Sequence, residues 1–150
     1  MSNNPFKFKK AEDSPGLLLW QASQIWQRLI KQALESYDIS HSQFVIMATL
    51  MWFELHDFDT TQASLINWTK LDKMTVSKSF KKLVALELVT RIEHEADSRA
   101  KSVSLSNKGK DLITKLIPIV EGIDHEFFGQ TKKDDQQSFI QILRKLTGDK

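Results

Sequence analysis

Lys73, Thr75, Ser77, Lys78, Lys81 and Lys82 fall within a single ten-residue stretch, and a second cationic pair, Arg99 and Lys101, follows it. Ammonium, guanidinium and hydroxyl groups in this mixture suit phosphate oxygens and the polar edges of bases. The surrounding charge agrees. Residues 70–110 hold ten Lys/Arg against five Asp/Glu, a net +5, whereas the rest of the chain holds eleven against fourteen, a net −3. Positive charge concentrated in one segment is the footprint expected of a phosphate-binding surface.

Other chemistries lack their parts. There is no nucleophile elbow, no glycine-rich phosphate loop and no paired-histidine motif, and the five glycines do not cluster. Catalysis is therefore not expected. The four histidines are scattered, and the spacing of "HDFD" at 56–59 fits no tight metal loop, so neither metal nor cofactor is expected. The chain has no cysteine, which excludes disulfides and thiol switches. No apolar run approaches the roughly 18 residues of a membrane span. The charged first ten residues lead into no apolar run, so "FKFKK" reads as a basic arm rather than an export signal, and a cytoplasmic location is expected.

The cationic residues need elements to hold them. A 150-residue chain that is 41% hydrophobic suggests one domain with a substantial core. Pro15 and Gly16 open a helix whose apolar stripe runs from Leu17 to Leu34. Ser42 is expected to cap a second helix over about 43–55, apolar on most sides. Thr60 or Thr61 caps a short third helix with Ala63, Leu65 and Ile66 inward. Asp72 caps a fourth, with Val76, Phe80, Leu83 and Val84 on its apolar stripe and the lysines and hydroxyls opposite. Two short strands, about 89–93 and 101–105, follow. In the second, Val103 and Leu105 alternate with serines as in a half-buried strand. Ser106 caps a long fifth helix, in which Pro118 predicts a kink or a division. The last helix spans about 134–146, with Phe139, Ile140, Leu143 and Leu146 on one face.

A short helix, a turn and a basic-faced helix read as helix-turn-helix, and the hairpin as its wing. The fourth helix presents Lys73, Thr75, Ser77, Lys78, Lys81 and Lys82 to a major groove. Arg99, placed at the hairpin tip, and Lys101 reach a neighbouring minor groove, whose negative potential attracts arginine. Asp97 repels phosphate there, so it is assigned to structuring the wing. No arginine–guanine pair is evident, so no base preference is predicted.

The segment "MTVSKSFKKLVALELVTRIEHEADSRAKSVSLSNKG" resembles the MarR (multiple antibiotic resistance regulator) family. Thr75, Val76, Ser77 and Lys78 match its helix pattern, and Leu88, Val89 and Arg91 match the start of the first strand. Asp97 and Arg99 match the wing, and Val103, Leu105, Ser106 and Gly109 its exit. Motif agreement covers about 61–109. Two residues depart from the pattern: Glu87 replaces the glycine that follows the recognition helix, and Ser98 replaces the first of two wing arginines, leaving one guanidinium per wing.

The resemblance implies a mostly α winged helix-turn-helix with a small β-hairpin wing. It further implies a homodimer through N- and C-terminal helices. The lobe would occupy about 42–109 and the dimerisation helices about 15–36 and 106–146. It also implies sequence-specific binding of a pseudo-palindromic duplex, repression, and release by a small aromatic effector. Trp20, Trp26, Trp52 and Phe44 are candidates for lining an effector pocket, with no particular ligand residue assigned. The alternative is a winged-helix module that docks another protein without binding DNA.

Overall fold

The computed structural model describes residues 4–94 and 97–148, without the side chains of residues 93–101. Six α-helices and one hairpin appear in the order α1 (Pro15–Leu34), α2 (His41–Leu55), α3 (Gln62–Thr69), α4 (Lys73–Ala85), β1 (Val89–His94), β2 (Asp97–Leu105), α5 (Asn107–Phe128) and α6 (Lys133–Leu146). The basic arm carries one 3-10 turn, Ala11–Asp13, before α1. Among the described residues no helix is long and apolar enough to cross a membrane.

Local sequence chemistry sets most boundaries. Ser14 caps α1, its Oγ accepting from the Leu17 N–H at 3.2 Å, with Pro15 in the first turn where no N–H is needed. The cap of α2 is Ser40, two residues before the expected Ser42. Ser40 Oγ accepts from the Gln43 N–H at 3.1 Å, and Gln43 Oε1 accepts from the Ser40 N–H at 2.9 Å. This reciprocal box satisfies two otherwise orphaned donors, which a lone serine at 42 would not. Thr61 and Ser64 form a second box at the start of α3.

The core is a single cluster. Ile30 and Leu34 of α1, Ile46, Met47, Leu50 and Phe53 of α2, and Leu65 of α3 join Val76, Phe80 and Leu83 of α4. Val103 of β2 and Ile113 and Leu116 of α5 belong to the same cluster. Two residues expected in this core lie outside it. Ala63 is exposed, because the two-turn α3 turns only Leu65 fully inward, and Val84 is also exposed, at the edge of the α4 stripe.

Pro118 neither ends nor divides α5, which runs unbroken to Phe128. The ring lies on the exposed side, where the carbonyl it leaves unpaired can be hydrated. Leu116 and Val120, buried on either side, hold the helix against the core.

The α4–β1 turn contains Glu87 at φ 61°, so the left-handed cap persists without the glycine that usually permits it. A non-glycine residue there costs about 1 kcal/mol. The compensation is local: Ser106 Oγ donates to the Glu87 carbonyl at 2.6 Å, and the Ser106 N–H donates to the Leu88 carbonyl at 3.0 Å.

Candidate nucleic-acid interface

The side of α4 away from the core follows from its stripe. Val76, Phe80 and Leu83 are buried, so at 3.6 residues per turn Met74, Lys78 and Lys81 fall on the opposite side, while Lys73 opens the helix on its flank; all four are exposed. Asp72 starts the helix: Oδ1 accepts from the Thr75 N–H at 2.7 Å and Oδ2 from the Thr75 hydroxyl at 2.8 Å. The backbone bond, then the hydroxyl, hold the Asp72 carboxyl below its ordinary value. A carboxylate at this end also suits the helix dipole.

The structure separates the predicted contacts. Lys78 and Lys81 share the open face with Met74, and Lys73 is exposed at the first position of the helix, on the Ser77 flank. The Thr75 hydroxyl already donates to the cap. Ser77 sits on the flank facing α3, where Gln62 Nε2 donates to its Oγ at 3.3 Å. Lys82 turns toward the corner after α1, with Nζ 3.9 Å from Asp38 Oδ1. Arg91 also belongs to the fold, its guanidinium lying 5.4 Å from the centre of the Phe80 ring.

The hairpin is anchored at its root. Antiparallel pairing runs from Val89 opposite Leu105 to Glu93 opposite Lys101, with a register irregularity between Glu93 and His94. Thr61 bridges to Ser102, and the Val103 N–H donates to the Thr60 carbonyl at 2.8 Å, tying the wing to the start of α3. Glu54 of α2 accepts from the Leu105 N–H at 3.1 Å and lies 3.9 Å from Lys110. The strands are longer than expected. β2 begins at Asp97, which places the Arg99 backbone within a strand rather than at the tip. The side chains of Asp97, Arg99 and Lys101 lie outside the described residues, as does that of Ser98.

Sequence reasoning missed Met74, Gln62 and Glu54. Met74 was legible, because its position opposite Val76, Phe80 and Leu83 follows from helical spacing alone. The bonds of Gln62 and Glu54 cross between elements and leave no periodic signal.

The four aromatic candidates for an effector pocket meet different surroundings. Trp20 is 64% exposed, Phe44 is buried in the core, and Trp52 stacks on His56 with ring centres 4.1 Å apart. Trp26 Nε1 donates to Asp124 Oδ1 at 2.7 Å, and its ring meets His41 edge-on at 5.2 Å. His41 opens α2, Trp26 lies on α1 and Asp124 on α5, so this trio joins the helix-turn-helix lobe to the long helices. His41 also borders a cleft of about 350 Å³ lined by Lys31, Glu35, Asp38 and Lys82.

Burial pushes the His41 imidazole below its ordinary value, against an opposing pull from Asp124. The folded chain therefore binds this proton less readily than the unfolded chain. Its contribution to stability is complete above the ordinary value of 6.5 and declines as pH falls below it. Melting temperature should drop between pH 7.5 and 5.5, and His41→Gln should flatten that dependence in a thermal denaturation series. An unchanged pH profile in the variant would place the titrating group elsewhere.

Comparison with known proteins agrees with this geometry. The family described as "ArnR1-like, winged-helix domain" matches residues 35–122. The HTH-type transcriptional regulator YdcH of Bacillus subtilis is 34% identical over 140 residues, covering 93% of this chain and 94% of YdcH. Among solved structures, Bordetella bronchiseptica BpsR superposes with a TM-score of 0.82 at 23% identity, covering 97% of this chain and 99% of that one. This chain belongs to the ArnR1-like winged-helix family of HTH-type transcriptional regulators. A MarR variant from Escherichia coli complexed with operator DNA shares the fold with a TM-score of 0.77 at 21% identity, over 90% of this regulator and 95% of that chain. In this winged-helix chain, α3 and α4 are the helix-turn-helix and the β1–β2 hairpin is the wing.

Proposed function

We propose that this regulator binds a pseudo-palindromic duplex as a homodimer. In this reading α4 lies in the major groove and the wing reaches the adjacent minor groove. The exposure of Lys73, Lys78 and Lys81 carries the proposal, since it gives α4 cationic groups with no place in the core, Lys78 and Lys81 on its open face and Lys73 at its start. Ser77 and Thr75 contribute hydroxyl oxygens at its flanks. Lys82 is a weaker contact because Asp38 shares it. Arg99 and Lys101 supply the minor-groove term, and Asp97 structures the wing. Twofold symmetry sets the two recognition helices about 34 Å apart, in successive major grooves.

The dimer is supported by surface that a lone chain has no means to cover. No residue of α6 is buried, and Ile140 and Leu146 are 46% and 71% exposed. A groove of about 750 Å³ lies between α5 and α6, lined by Phe127, Phe128, Phe139, Ile140 and Leu143. Leu18, Leu19 and Ile25 add exposed apolar surface along α1. Apolar surface on this scale marks an association site. The lobe then spans about 42–109, flanked by dimerisation helices at about 15–36 and 106–146.

Occupying a promoter would make the protein a repressor. A ligand that binds preferentially to one setting of the lobes would release it. The mechanism described for BpsR, regulation of DNA binding by 6-hydroxynicotinic acid, supports a small aromatic effector here. Membership in a regulator family supports a non-catalytic role in the cytoplasm.

A salt-matched titration tests the reading. Random duplex should bind measurably, with affinity falling steeply as salt rises. Arg99→Ala should weaken binding about tenfold while circular dichroism and sedimentation report an unchanged fold and dimer. Unchanged affinity would remove the wing from the mechanism. Absence of any salt-dependent duplex binding would favour protein docking instead.

A further inference from the structure

Met74 stands out on the α4 face. It lies in the first turn, between Lys73 and Thr75, and is 69% exposed. It is not part of the core cluster or of the partly buried shell around it. Its neighbours along the open face are Lys78 and Lys81, at i+4 and i+7, so it is the apolar member of an otherwise cationic row.

The other first-turn groups are engaged elsewhere or suited to phosphate. The Thr75 hydroxyl donates to Asp72, and Ser77 Oγ is held by Gln62. Lysine ammonium groups are mobile point charges that neutralise phosphates with little selectivity among bases. Residues in the first turn of a recognition helix are those that reach base edges. The major-groove edges offer donors, acceptors and one apolar group, the thymine C5-methyl.

We propose that Met74 is a specificity-determining residue that packs its thioether chain against a thymine methyl in each half-site. The assignment rests on the proposed placement of α4 in the major groove. Binding moves both apolar groups out of water, which neither a lysine nor a phosphate contact can reproduce. The flexible, polarizable methionine chain can follow the methyl without demanding a single rotamer.

The test uses the full-length chain and duplexes selected by it from a random library. Each thymine of the selected site is replaced in turn by deoxyuridine, which deletes only the methyl. At one thymine per half-site the replacement should weaken wild-type binding about fivefold. The same replacement should leave Met74→Ala unaffected, and Met74→Leu should keep most of the sensitivity. Affinity for random duplex should be equal in all three proteins at matched salt. A flat uracil scan, or a Met74→Ala protein as sensitive as wild type, would overturn the assignment while leaving the regulator reading intact. Failure to enrich any sequence, with no retention of random duplex, would overturn both. Met74 is 69% exposed, and circular dichroism on each variant checks that the fold is retained.

Discussion

Gly109→Ala should lower the melting temperature by about 10 °C, a loss of about 3 kcal/mol for a chain of this size. A Cβ built on Gly109 would lie 2.0 Å from the Leu88 carbonyl oxygen and 3.0 Å from its carbon. Both atoms are backbone, so no side chain can rotate away. The same carbonyl accepts from the Ser106 N–H, and the Gly109 N–H donates to Ser106 Oγ at 3.0 Å. Relieving the clash means pulling the first turn of α5 away from the α4–β1 turn and breaking that network. Helix propensity alone would favour alanine by about 1 kcal/mol. The steric term opposes it and is larger, because backbone packed against backbone yields little. Thermal or urea denaturation measures the outcome. A variant as stable as wild type would show that α5 and Leu88 separate without cost.

Lys78→Ala combined with Lys81→Ala should weaken duplex binding by roughly a thousandfold at about 0.1 M salt. The twofold dimer carries four of these ammonium groups. Each phosphate neutralised contributes about 0.9 to the slope of log affinity against log salt, so the slope should fall by about four. Both side chains are exposed, so stability should hardly change. Lys82→Ala provides the contrast. Its ammonium is shared with Asp38, and it should alter the slope by less than either single substitution on the open face. Fluorescence anisotropy with a labelled duplex, run over a salt series, reads wild type, the two single variants, the double variant and Lys82→Ala. Equal slopes for wild type and the double variant would mean that α4 does not lie against the phosphates.

These expectations draw on two kinds of information in the chain. Caps and stripes are local. Ser14, Thr61, Asp72 and Ser106 act on backbone groups three residues away, so their positions could be read from residue types. The alternation ending in Val103 and Leu105 marked a strand for the same reason, and Val103 is fully buried. The capping box at Ser40 was equally local but was overlooked for the nearer serine. Pro118 does not divide α5, because Leu116 and Val120, buried on either side of it, hold the helix to the core.

By itself, then, the sequence determined the succession of helices and hairpin, the helix that carries the lysine cluster, and the winged-helix class to which the pattern belongs. The tertiary structure alone decided how the cations divide: Lys73, Lys78 and Lys81 open to solvent, Lys82 turned to Asp38, Arg91 laid over Phe80. It also decided that Trp26 reaches Asp124 and that Glu54 reaches the Leu105 N–H. Helical and strand periodicities repeat every few residues and leave a trace in any short window. A contact between residues 50 or 100 positions apart leaves none until the chain has folded and brought the two partners together.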